Sequence, residues 1–112
     1  MKEDLIFVKH ILESIKNIEE FSKGLSKKGF IENRLRQSAI IRELEIIGEA
    51  TKNLSEDFKY KHKLIEWKLI SGLRDKLIHH YFGIELERVW NMIEKDLPNL
   101  KKEIEKIKSD ES

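Results

Sequence analysis

The sequence predicts an all-α protein, folded as an antiparallel bundle of four to five helices. Apolar residues recur at spacings of three and four along most of the chain, and no segment alternates apolar and polar residues as a strand does. Charged residues (38%) nearly equal hydrophobic ones (39%), which suits helices with one buried and one solvated face. The 112 residues predict one domain over residues 1–108, followed by a frayed tail over residues 109–112.

The composition of the chain excludes several classes of function. A net charge of +1 excludes binding of nucleic acid by bulk charge, so any RNA contact has to be local. The absence of cysteine excludes disulfides and thiolate metal sites and fits a reducing compartment, so we expect a cytoplasmic protein. No apolar run approaches the roughly 20 residues that cross a bilayer, and the first residues do not resemble a signal peptide. We expect no membrane contact.

The first two helices are predicted from their apolar spacing. The first spans about residues 3–24 and ends near Gly24, and Lys27-Lys28-Gly29 is predicted to be a loop. The second runs from about Ile31 to Leu54. Its apolar residues cover so much of its circumference that we expect neighbours on more than one side. The inward residues are Val8, Ile11, Leu12, Ile15 and Ile18, then Leu35, Ala39, Ile40, Ile41, Leu44, Ile46, Ile47 and Ala50.

The second half predicts two more helices after a polar stretch. Ser55 is suited to cap a short turn in residues 55–63. A third helix starts between residues 64 and 66 and reaches at least residue 78. A fourth begins after Gly83 and continues across Pro98, where we expect a kink or restart with Asp96 near the cap. Lys59, Lys61 and Lys63 either guide an RNA backbone or are merely solvated.

The chemistry is concentrated in one segment. Arg74, His79 and Tyr81 place a permanent cation, an imidazole that titrates near neutrality and a phenol within eight residues. These groups suffice to cleave a phosphodiester without a metal. Asp75 and His80 stand beside them as supporting residues. His79 and His80 do not form a metal site, because adjacent side chains on a helix diverge. We expect neither metal nor cofactor.

Helical phase constrains how these groups meet. With Ile70 at zero, Arg74 falls at about +40°, inside the apolar stripe, and His79 at about 180°. A buried charge is costly unless paired, so Arg74 either meets a carboxylate or lines a cleft that admits an anion. For both groups to reach one phosphate, either the helix breaks near His79, helped by Gly83, or two copies of the chain share a cleft. We favour both together. A structural alternative makes Arg74 an ion pair, His79 a partner of the helix dipole and Tyr81 a packed phenol.

The signature resembles that of the HEPN superfamily, and its flanking segments look like the HepT branch of small helical toxins. The resemblance covers nearly the whole chain in order. Two differences are that Asp75 stands where the family often has asparagine and that no proline precedes Trp67. Besides Arg74 and His79, the similar segments are 44–50, 52–55, Trp67, 81–84, 89–90 and 96–98.

The resemblance implies a metal-independent endoribonuclease toxin that forms a homodimer, with Arg74 and His79 of both subunits lining the cleft. It implies that Arg74 holds the scissile phosphate and that His79 moves protons. It also implies that a minimal nucleotidyltransferase (MntA) antitoxin neutralises the toxin by transferring AMP to Tyr81. The alternative is a non-catalytic HEPN module that binds the nucleotidyltransferase or a nucleotide.

Overall fold

The computed structural model describes residues 2–72 and 86–111, and all the regular structure in these ranges is helical. This confirms the predicted all-α class. A π-helical turn, Met92–Asp96, joins the last two helices. The helices are α1 (Lys2–Ser22), α2 (Lys27–Glu32), α3 (Arg34–Lys52), α4 (Glu56–Lys61), α5 (67–72), α6 (Leu86–Asn91) and α7 (Leu97–Glu111).

The core forms where α1 packs against α3 and α7. Every apolar residue predicted to face inward on α1 is buried, which confirms the assignment of that face. Burial of this apolar surface is the main favourable term in folding. The fully buried members on these three helices are Val8, Ile11, Ile15, Ile18, Ile40, Leu44, Ile47 and Ile104.

The segment predicted as a loop is a helix. Ser26 accepts a hydrogen bond from the Gly29 amide at 3.0 Å and caps α2, and this helix buries Phe30 completely. Asn33 separates α2 from α3 and caps α3 by accepting from the Arg36 amide at 3.0 Å. The loop prediction was therefore wrong for Lys27-Lys28-Gly29, because Ser26 supplies the cap and Phe30 the buried anchor that stabilise one helical turn.

The outer face of α3 is less covered than predicted. Leu35 is 81% exposed, whereas Ile40, Ile41 and Leu44 are buried. The predicted start at Ile31 was too early, since the helix begins at Arg34. Gly24 lies in the turn that follows α1 and has a φ of 75°, a conformation that glycine adopts without strain. This agrees with the predicted end of the first helix near Gly24.

A buried carboxylate connects the start of α1 to the start of α4. Asp4, only 4% exposed, accepts from the Ser55 amide at 2.7 Å and from the Ser55 hydroxyl at 2.8 Å. The Ser55 hydroxyl in turn accepts from the Phe58 amide at 3.2 Å, so Ser55 caps α4 as predicted. Asp4 thereby fixes the start of α4 against α1.

Asp4→Ala is expected to lower the free energy of unfolding by about 2–3 kcal/mol, because it removes two hydrogen bonds to a charged acceptor and leaves Ser55 without its partner. Urea denaturation followed by circular dichroism measures this. Glu3→Ala is the matched control, since Glu3 is exposed in the same first turn and its loss should cost less than about 1 kcal/mol. Equal losses in the two variants would contradict the assigned role of Asp4.

The helix that ends the chain contains the irregularity expected near Pro98, but in a different form. The Leu97 amide donates to the Met92 carbonyl, five residues back, so the chain stays helical through a wide turn in place of restarting at a cap. Such a turn relieves the clash that a proline ring makes with the preceding turn. Asp96 is the last residue of the π-helical turn, and no separate cap is needed there.

The C-terminal helix α7 spans Leu97–Glu111. The fraying expected over residues 109–112 stays a prediction. Lys101 ties this helix to α1, because its ammonium lies 3.0 and 3.1 Å from the two carboxylate oxygens of Glu19. That hydrogen bond raises the pKa of Lys101.

Candidate functional site

All five predicted site residues, Arg74, Asp75, His79, His80 and Tyr81, lie outside the described residues. Their assignment therefore stays a prediction. The structure describes the two elements that lead into and out of this segment. On one side the described part of α5 reaches Gly72, two residues before Arg74 in the chain, and on the other side α6 begins at Leu86.

The helix that leads to Arg74 is anchored at its first residue. Trp67 is 6% exposed, and its indole nitrogen donates to the carbonyl of His62 at 3.0 Å. Ile70, one turn later, packs against the core, whereas Lys68 and Leu69 face outward. This is the phase from which Arg74 was assigned to the apolar stripe, and the described part of α5 agrees with it up to residue 72.

His62 belongs to an aromatic cluster between α4 and α5. Its imidazole is half-buried, and its ring centroid lies 4.7 Å from that of Phe58. Its Nε2 is buried and has no hydrogen-bond partner among the described residues. Phe58 also packs against Trp67 in this aromatic cluster, with ring centroids 6.3 Å apart. The cluster fixes the connection between α4 and α5.

The helix that leaves the segment is docked on α2. Val89 and Trp90 are buried, and the Trp90 ring lies 5.4 Å from that of Phe30. An exposed ion pair between Lys27 and Glu87, at 3.5 Å, joins the same helices. Trp67 and Trp90 are thus both core residues. They fix the flanks of the segment that carries Arg74 and His79.

Two grooves border α5, and their charges differ. The first, about 450 Å³, lies between α5 and the start of α7; its floor is apolar and its rim carries Glu66, Asp96 and Glu103. A rim of this sign repels phosphate. The second, about 490 Å³, runs along α4 and the start of α5 and is lined by Lys59, Lys63 and Lys68 together with Glu56, Glu66 and an exposed tyrosine, Tyr60. Tyr60 was not among the predicted site residues, although an aromatic residue inside a lysine cluster is a recognisable signal.

Two further findings apply only to the described ranges. Within residues 2–72 and 86–111, no group of three or more His, Cys, Asp or Glu side chains could hold a metal ion. No helix in that part of the chain combines the length and the apolar character that crossing a membrane requires.

The fold defines a small all-α helical domain whose signature segment connects two anchored helices. A family model described as ribonuclease HepT-like matches residues 11–107. The chain belongs to this family, which confirms the resemblance to the HepT branch of the HEPN superfamily. No solved structure matches the chain.

Curated relatives agree with the family assignment. A Methanocaldococcus jannaschii protein named "Gamma-glutamylcyclotransferase and putative RNase" is 46% identical over 108 residues, 96% of this chain but 49% of that protein, so the chain spans about half its length. A second protein of that organism, named "Putative RNase", is 47% identical over 93% of this chain and 86% of its own. A Thermococcus cleftensis protein named "Probable ribonuclease HepT" is 42% identical over 91% and 93%.

Proposed function

We propose that the protein is an endoribonuclease toxin that cleaves RNA without a metal ion. The observation that carries this proposal is the signature itself. Arg74, His79 and Tyr81 stand in the order and spacing of the HEPN motif, inside the stretch 11–107 that matches the ribonuclease HepT-like family. The names of the relatives support RNA as the substrate.

The chemistry needs no nucleophile from the protein, because RNA carries its own 2′-hydroxyl. His79 takes the proton from this hydroxyl as the bond from the 2′-oxygen to phosphorus forms. The bond from phosphorus to the 5′-oxygen breaks, and an imidazolium returns a proton to the leaving oxygen. Arg74 stabilises the charge that develops on the phosphate with a planar set of donors. The products are a 2′,3′-cyclic phosphate and a 5′-hydroxyl.

A symmetric homodimer brings these groups together. On one continuous helix Arg74 and His79 point about 140° apart, so a single straight copy cannot aim both at one phosphate. In a two-fold dimer each chain presents the same surface to its partner, and the signatures of both chains can line one cleft. We propose this arrangement for the catalytic unit.

Regulation acts on the same segment. We propose that a nucleotidyltransferase antitoxin transfers AMP from ATP to the Tyr81 hydroxyl and releases pyrophosphate. Each AMP adds bulk and negative charge two residues from His79, so it occupies the cleft and repels the RNA backbone. The toxin is thereby neutralised without being unfolded.

The proposal is tested by incubating the purified protein with RNA in EDTA and identifying the product ends. We expect cleavage to persist in EDTA, with cyclic phosphate and 5′-hydroxyl ends, because the mechanism uses only side chains and the 2′-hydroxyl. Loss of cleavage in EDTA that Mg²⁺ restores would contradict metal independence. RNA with 2′-O-methyl groups throughout should resist cleavage, since it lacks the nucleophile.

One sequence feature favours a second candidate, the non-catalytic module. Asp75 places a carboxylate beside Arg74, where it can lower the positive potential that a phosphate needs. A protein that binds the nucleotidyltransferase or a nucleotide but leaves RNA intact at every concentration would support this candidate.

A further inference from the structure

The outer surface of the connection between α4 and α5 combines an exposed aromatic ring with lysines. We propose that this surface, the Tyr60 platform (Tyr60, Lys59, Lys63 and Lys68), binds single-stranded RNA by stacking one base on Tyr60 and holding the adjoining phosphates. The inference rests on the proposed function in one respect only, namely that RNA is the substrate.

The Tyr60 ring is exposed to solvent and does not pack into the core. It is 74% exposed, whereas Phe58, on the opposite face of α4, is completely buried. The Lys63 ammonium lies 5.0 Å from the Tyr60 ring centroid, a cation–π distance. Because the lysine covers one face of the ring, the other face is open to a base. Stacking on an aromatic side chain is how proteins hold unpaired bases without regard to sequence.

The charge around the ring has the sign that RNA requires. The groove beside the ring is lined by three lysines, Lys59, Lys63 and Lys68, and by two glutamates, Glu56 and Glu66, so its charged side chains sum to +1. Among the described residues, no carboxylate forms a salt bridge with Lys63 or Lys68, while Lys59 lies 3.7 Å from Glu56. The platform therefore supplies the local positive charge that an overall neutral RNA-binding protein needs.

The position of the groove links the platform to the proposed catalytic segment. The groove of about 490 Å³ follows α4 and turns onto α5 at Lys68 and Leu69, and α5 leads in the chain to Arg74. The acidic groove on the other side of α5 is unsuited to a phosphate backbone. An RNA strand held at Tyr60 thus lies on the basic side of α5, the helix that precedes the signature in the chain.

A protein partner is the competing occupant, because Leu64 (92% exposed) and Leu69 (60% exposed) lie beside the platform. Charge decides in favour of RNA. Lysine is depleted from protein–protein interfaces, whereas a cluster of lysines around an aromatic ring is typical of single-strand binders.

The test uses fluorescence anisotropy with a single-stranded 2′-O-methyl oligonucleotide, which the protein can bind but not cleave. Tyr60→Ala should raise Kd about 5- to 100-fold, the range that loss of one stacked base produces. Tyr60→Phe keeps the ring and should stay within about twofold. Lys63→Gln should raise Kd and lower the slope of log Kd against log salt by about 0.7. Lys102→Gln, an exposed lysine on α7, is the matched control and should change neither.

The outcomes separate this inference from the proposed function, because the oligonucleotide assay needs no cleavage. If wild type binds, Tyr60→Ala does not and RNA is never cut, the platform stands and the enzyme proposal fails. Equal Kd values for wild type and Tyr60→Ala, or no binding by wild type, overturn the platform even if RNA is cleaved. If Tyr60→Ala instead changes the sedimentation mass and leaves Kd unchanged, the surface is a protein interface and the inference is overturned. Unchanged circular dichroism confirms that the variant is folded.

Discussion

Arg74→Ala and His79→Ala are each expected to reduce RNA cleavage by about 10²- to 10⁴-fold. The alanine at position 79 removes general acid–base catalysis, and the alanine at position 74 removes donors to the charge that develops on the phosphate. Arg74→Lys should recover only part of the loss, because an ammonium keeps the charge but not the planar fork. Initial rates on a labelled RNA, measured in EDTA, check these values.

The matched controls are Arg34→Ala and His10→Ala, which remove the same residue types at exposed positions on α3 and α1. Both should cleave at nearly the wild-type rate. Wild type and all four variants cleaving equally would identify the activity as a contaminant and remove the enzyme proposal.

Mixing the two inactive variants tests whether one cleft uses both chains. If Arg74 of one chain works with His79 of the other, a mixed dimer holds one complete pair, and an equal mixture should recover about a quarter of the wild-type rate. If the pair comes from a single chain, mixing should restore nothing. The dimer itself is measured by sedimentation of each variant, which should match wild type.

AMP transfer to Tyr81 is expected to abolish cleavage of RNA, and Tyr81→Phe is expected to escape this inhibition. Under the proposed function, the modified residue adds phosphate charge to the segment that binds the RNA phosphate, so we expect substrate binding and modification to exclude each other. The experiment incubates each protein with a nucleotidyltransferase of the MntA type and ATP, then measures cleavage and locates AMP by mass spectrometry of peptides.

Tyr60→Phe is the matched control for this prediction, since the chain has two tyrosines and Tyr60 is the other. It should be modified and inhibited like wild type. AMP located on Tyr60, or inhibition that persists in Tyr81→Phe, would defeat the assignment.

The first half of the chain shows which structural features a local sequence pattern predicts and which it does not. The inward face of α1 was predicted residue by residue, because a helix with one buried side repeats its apolar positions at a fixed spacing. The same reasoning missed α2, where a single buried phenylalanine, Phe30, and a serine cap stabilise six residues that have no repeat to read. It also placed Leu35 in the core, although the residue is 81% exposed.

The helix irregularity near Pro98 shows a second limit of prediction from the sequence. Pro98 predicts a disturbance, since it lacks an amide donor and crowds the turn before it. The proline alone does not select between a new cap and a π-helical turn. The structure contains the π-helical turn, with Trp90 before it and Ile104 after it both buried.

The sequence by itself determined the helical class, the inward face of α1, the family and the chemical types in the signature, because each of these depends on residue types and their spacing along the chain. Only the tertiary structure decided which apolar positions are covered, that Asp4 reaches across 51 residues to hold Ser55, and that Tyr60 stands exposed among lysines. These depend on which distant segments pack together, and local spacing carries no information about that.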